Sequence, residues 1–166
     1  MNCPSCGAPM RIETARDCLA CDYCKYIYFP QKDDEGVSVF PEKSDESCPV
    51  CAVPLMHASI AKVRIEYCTH CRGMLVSMGV FMTIVDELRA GQTGTLVEPP
   101  PDPSELHIKL DCPHCHKPMD THFYSGPGNV VMEACDRCEL NWLDHGKLMR
   151  IVRSPDHSYR DAEPMA

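Results

Sequence analysis

Residues 48–71 read CPVCAVPLMHASIAKVRIEYCTHC, and the spacing inside this stretch decides the fold. Two C-x-x-C pairs, Cys48/Cys51 and Cys68/Cys71, stand with 16 residues between the inner cysteines. A C-x-x-C turn aims two sulfurs at one ion, and two such turns complete a tetrahedron with Zn–S distances of about 2.3 Å. The residues between the pairs alternate like strands, with Ile60, Val63, Ile65 and Tyr67 apolar. They are enough for a β-hairpin that returns the second pair to the first. The spacing is that of a structural four-cysteine zinc site.

The same frame recurs on both sides. Cys3/Cys6 with Cys21/Cys24 leaves 14 residues between the inner cysteines, and Cys112/Cys115 with Cys135/Cys138 leaves 19. Each unit opens Cys-Pro-x-Cys and then carries Pro and a large apolar residue at one offset: Pro9-Met10, Pro54-Leu55 and Pro118-Met119. This is an internal repeat. Six pairs in three repeats predict three bound Zn2+ ions, held by twelve thiolates. Iron fits four thiolates equally well, since residue types alone separate the two metals poorly. A redox dithiol needs a βαβ setting, and none is present. The thirteenth cysteine, Cys18, stands outside the pairing and reads as a small buried residue beside the first site. It forms an overlapping C-x-x-C with Cys21, but Cys21/Cys24 is the preferred pair, because strand-like Lys25 to Phe29 follow it.

Bulk properties restrict the class. The chain begins MNCPSCGAPM, with no apolar leader, and no run approaches the roughly 18 apolar residues of a membrane span. A cytoplasmic, reducing location is expected, where paired cysteines bind metal rather than form disulfides. The formal charge is −8. Four thiolates and one zinc dication add −2 per site, so three sites would take the chain to about −14. That disfavours general nucleic-acid binding, which needs Lys and Arg against phosphates.

The expected architecture is a small metal-stabilised α+β protein of three tandem four-cysteine zinc ribbons, the second and third each followed by a short α-helix. Ribbon one spans 1–40, ribbon two with its helix 46–90, and ribbon three with its helix 108–153. Residues 41–47 read as a short polar linker. Residues 91–107, with Gly and four prolines, read as a semi-rigid spacer, and 154–166 as a disordered tail. In the second unit Val80, Phe81, Ile84, Val85 and Leu88 share one helical face, with Ser77 suited to the N-cap. In the third, Asp144 suits an N-cap, and Leu148, Ile151 and Val152 form a stripe that ends at Ser154-Pro155. GPGN, 126–129, reads as a hairpin turn.

The third unit, CPHC…CDRCELNWLDHGKL, resembles the TFIIB-type zinc-finger family of small bacterial zinc-ribbon proteins, whose pattern is roughly CPxC…CxxCxGxWLDxGEL before a helix. The resemblance implies that Cys112, Cys115, Cys135 and Cys138 are ligands and that Trp142-Leu143-Asp144 is the WLD box. Lys147 replaces the pattern's Glu, which removes half of a capping box, and Leu140 replaces its Gly. The second unit resembles the family more loosely: it keeps Cys71-Arg72-Gly73 but has Leu75-Val76-Ser77 where the box would be. The resemblance implies zinc binding and a ribbon fold, and no reaction.

No catalytic set emerges, because four-thiolate sites are closed whereas catalytic zinc keeps an open position. The expectation is a noncatalytic adaptor for an unidentified protein partner. A nucleic-acid-binding or transcription-associated protein is the alternative, and it calls for a basic face formed by Lys62, Arg64, Lys147, Arg150 and Arg153. Zinc storage or thiol redox sensing is a second alternative. His70, His114, His116 and His145 read as solvent-facing or as neighbours of ligands, and Trp142 as core over the third site.

Overall fold

The computed structural model describes residues 1–93 and 97–155. Residues 94–96 of the expected spacer, and 156–166 of the expected tail, lie outside the described residues.

Ribbon one forms its own three-stranded antiparallel sheet: β1 (Arg11–Glu13), β2 (Cys18–Ala20) and β3 (Ile27–Tyr28), in that order. A 3-10 turn at Thr14–Arg16 joins the first two strands. Strand β4 (Ser38–Ser47) then starts a second sheet. It takes up the stretch 41–47 that reads as a linker, pairing with β5 (Pro54–Ile60) through two register shifts. Bulges of this kind let a polar, irregular sequence serve as an edge strand. The sheet continues through β6 (Val63–Tyr67) and β7 (Met74–Ser77), and helix α1 (Met78–Ala90) follows.

Ribbon three contributes β8 (Asp120–Phe123), β9 (Val131–Cys135) and β10 (Leu140–Leu143), then helix α2 (Lys147–Arg153). The GPGN turn joins β8 to β9, with the Tyr124 N–H donating to Val130 O at 2.8 Å. Strand β10 pairs antiparallel with β7, so the second sheet has seven strands in the order β4-β5-β6-β7-β10-β9-β8. Among the described residues the fold is therefore mostly sheet with two α-helices, and ribbons two and three are not beads on a spacer. They close into one body across the β7/β10 seam.

That seam has internal symmetry. Leu75 and Trp142 each lie four residues beyond the last ligand of their unit, and they face each other in the register. On either side Val76 pairs with Asn141, and Met74 with Leu143. A pseudo-twofold axis thus runs through the Leu75–Trp142 pair, and one face of the sheet meets both helices. Val37, Ile60, Ile65, Tyr67, Met74, Val76, Leu143 and Met132 join Phe81, Ile84 and Val85 of α1 and Leu148, Ile151 and Val152 of α2 in a single core. The α2 stripe is buried there, and the α1 stripe is buried at Phe81, Ile84 and Val85 with Val80 and Leu88 half-buried at its margin. Phe81 meets Tyr124 edge to face, with centroids 5.6 Å apart.

The two cap expectations fare differently. Ser77 does occupy the N-cap position of α1, but its side chain makes no capping bond, and the Met78 N–H goes to Glu139 O, across the seam, at 2.8 Å. Asp144 is not the N-cap of α2, which starts after Gly146 in the left-handed region at φ 85°. Asp144 accepts a hydrogen bond from Trp142 Nε1 at 3.1 Å and lies 2.7 Å from Lys147 Nζ.

Candidate metal centres

The local backbone builds each half-site in one way. The residue after the second cysteine of every pair is left-handed: Gly7, Lys25, Ala52, Arg72, His116 and Glu139, with φ between 54° and 74°. Only the first is glycine. In five turns the N–H of this residue donates to the carbonyl of the first cysteine, at 2.8 Å for Gly7, Arg72 and His116, 2.9 Å for Ala52 and 3.0 Å for Lys25. The chain then doubles back: the Cys48 N–H donates to Val53 O, and Cys68 to Gly73 O. Further N–H groups point at sulfur, Cys51 to Cys48 Sγ at 3.3 Å and Cys71 to Cys68 Sγ at 3.5 Å. Such donors favour a thiolate over a thiol.

The hairpins bring the half-sites together as the spacing predicts. Cys3, Cys6, Cys21 and Cys24 form one cluster, Cys48, Cys51, Cys68 and Cys71 a second, and Cys112, Cys115, Cys135 and Cys138 a third. Within each cluster all ligand atoms lie within 4.8 Å of one another. The short contacts cross from one pair to the other: Cys3–Cys24 at 3.5 Å, Cys6–Cys21 and Cys48–Cys71 at 3.6 Å, and Cys115–Cys135 at 3.7 Å. A tetrahedron with Zn–S of about 2.3 Å has edges of roughly 3.8 Å. The three clusters fit one zinc ion each. Cys18 is fully buried in β2 and belongs to none of them.

Electrostatics leads to the same conclusion. The backbone N–H of Tyr26 draws the Cys24 thiol down to about 6, and that of Lys117 draws Cys115 down to about 7. Burial, followed by the three neighbouring thiols, pushes Cys138 up to about 12. Four sulfurs this close cannot all ionise on their own. A dication removes the conflict by holding all four as thiolates.

Sites two and three share their surroundings. Leu55, Leu75, Met119 and the fully buried Trp142 form one apolar cluster with Cys48, Cys68, Cys112 and Cys135. Trp142 lies directly on Gly73: a Cβ there would come within 2.3 Å of its ring. The two departures from the family pattern explain each other at this point. Ribbon two keeps the glycine that receives the Trp142 ring and offers the smaller Leu75 at the axis, while ribbon three has the tryptophan and Leu140, which packs on the same cluster.

Glu35 is the residue that sequence reading missed. It sits in the acidic turn between β3 and β4, within the expected 1–40 span, is buried, and reaches the start of α2. Its carboxylate accepts from the Gly146 N–H at 3.1 Å and lies 2.9 Å from His145 Nδ1. A carboxylate from a distant part of the chain thus accepts from the N-cap residue of α2. Its neighbours bind ribbon two: Asp33 accepts from Tyr67 Oη at 2.8 Å, and Arg72 pairs with Asp33 and Asp34. Lys147, the first residue of α2, is 5% exposed beside Asp144 and Glu105. His114 pairs with Glu46 at 2.7 Å, and that hydrogen bond raises its pKa.

Fold and sites together define a protein of four-thiolate zinc ribbons. Residues 47–87, which comprise ribbon two and most of α1, match the family described as transcription factor zinc-finger, the TFIIB-type zinc ribbon. The match lies on the unit without the Trp-Leu-Asp box; the box itself is in ribbon three, at Trp142-Leu143-Asp144. No curated protein and no solved structure matches the chain. No described helix is long and apolar enough to cross a membrane.

Proposed function

We propose that this is a noncatalytic zinc protein that works as an adaptor, docking a protein partner on ribbon one. The observation that carries the reading is a set of aromatics on and just after the second turn of site one. Tyr23 is 83% exposed and Phe29 60%, with Tyr26 and Tyr28 more than a third exposed. Aromatic side chains are ordinarily drawn inside, and at interfaces they are enriched among the residues that dominate binding. Four thiolates per ion leave no coordination position for a substrate or an activated water, which supports a structural role for the metal.

The match to a transcription factor zinc-finger family favours a nucleic-acid reading. Charge disposition weighs against it. Of the basic face that such a reading calls for, Lys147 is buried beside two carboxylates, and Arg150 lies 3.8 Å from Glu105 and donates to Asn129 O. The adaptor reading is tested by capture from cell lysate with the wild type and with Tyr23→Ala/Phe29→Ala. A protein retained by the wild type after nuclease treatment, and lost by the variant, is the expected result. Capture that disappears with nuclease and falls steeply with salt would sink the adaptor reading in favour of the alternative.

A further inference from the structure

The three metal sites differ in what surrounds them. All eight ligands of sites two and three are buried or half-buried, whereas Cys6 and Cys24 of site one are exposed. Sites two and three are set in one apolar cluster beneath a shared seven-stranded sheet. The buried residues of the metal-binding part of ribbon one, 1–28, among them Cys3, Cys18, Leu19 and Cys21, belong to neither core cluster, and its sheet shares no strand with the larger one. The Lys32–Asp17 ion pair at 2.9 Å and the 3-10 turn at Thr14–Arg16, which rests against β6, join this sheet to the rest of the chain. The turn that follows it, Asp33 to Glu35, is itself held by Tyr67, Arg72 and Gly146 of the body. A unit this small has no core to keep it folded when its metal is gone.

We infer that site one is an exchangeable zinc site, and that giving up its ion to a competing ligand melts ribbon one while the fused pair stays folded. The zinc dication passes to the competitor, and the four thiolates take up protons from water; no electrons move. Two things follow for this chain's own residues. Cys18, fully buried in β2, becomes reactive together with the four ligands. The aromatic surface dissolves as well, because the Cys21/Cys24 turn displays it. The exchange does not depend on the adaptor reading; its consequence for docking does.

The test uses the full chain loaded with three zinc ions, a chelator such as EDTA added in steps, and native mass spectrometry. Thiol alkylation and amide exchange are mapped in parallel to individual segments. The expected first product retains two zinc ions and is alkylated at Cys3, Cys6, Cys18, Cys21 and Cys24. In it the other eight cysteines stay protected, and amide protection at 74–77 and 140–143 is unchanged. Loss of all three ions in one step, or first labelling at sites two or three, would overturn the inference. A Cys6→Ser/Cys24→Ser variant is expected to bind two zinc ions with full protection of the β7/β10 seam; loss of that protection overturns it too. A two-zinc form that labels as expected yet still captures the partner leaves the exchange standing and removes the partner from ribbon one.

Discussion

Ribbon one and the pair formed by ribbons two and three use the same turn, the same ligand set and nearly the same spacing, yet they are stabilised differently. Ribbon one is a metal site with a thin protein cover. In the pair, two metal sites sit on one face of a sheet and two helices on the other, with Trp142 at the join. Four thiolates suffice to make a ribbon. Only a partner surface makes a core, and ribbons two and three are each other's partner.

The contrast is open to attack at several points. Trp142→Ala should have the largest effect, about 3–5 kcal/mol of unfolding free energy from denaturant titration. Its signature is loss of amide protection in ribbons two and three together, with site one undisturbed. If only ribbon three loosened, the shared core would be wrong. Gly73→Ala should cost about 1–3 kcal/mol, because its Cβ meets the Trp142 ring. Combining Gly73→Leu with Trp142→Leu recreates the Leu75/Leu140 arrangement on the other side of the axis. The double variant should therefore recover part of what the two single changes lose, as a double-mutant cycle would reveal.

Glu35→Ala tests the link between the β3–β4 turn and α2. It should cost about 1–2 kcal/mol, since it removes a cap and leaves the Gly146 N–H without its acceptor. Glu35→Gln, which keeps an acceptor oxygen, should cost less. The smallest change tests the likeness among the three ribbons. Ala52 is left-handed at φ 57°, so Ala52→Gly should be neutral or stabilising by up to about 1 kcal/mol, read as a shift in the denaturant midpoint. A clear loss of stability there would mean that the turn depends on the side chain rather than on backbone geometry.

Much of this was legible in the residues. The twelve ligands and the grouping into three sites follow from spacing, because a C-x-x-C turn is local and the hairpin between pairs is short; setting Cys18 aside took the strand-like run after Cys24 as well. Both apolar helix stripes were visible for the same reason. The caps were not: Glu35 reaches Gly146 from 111 positions away, and Glu139 reaches Met78 across the seam. Nor was the role of 41–47, whose polar composition conceals an irregular edge strand. Gly73 and Trp142 were each noted as family motifs, but nothing in either segment shows that one receives the other.

The sequence by itself determined the metal chemistry, since ligand type and local spacing leave four thiolates around one ion as the natural outcome. Tertiary structure alone decided that two ribbons fuse while the third stands apart. That choice depends on which apolar faces find complementary surfaces, and complementarity belongs to pairs of segments distant in the chain. Leu75 makes room for Trp142, and Gly73 receives its ring; ribbon one has no counterpart to offer.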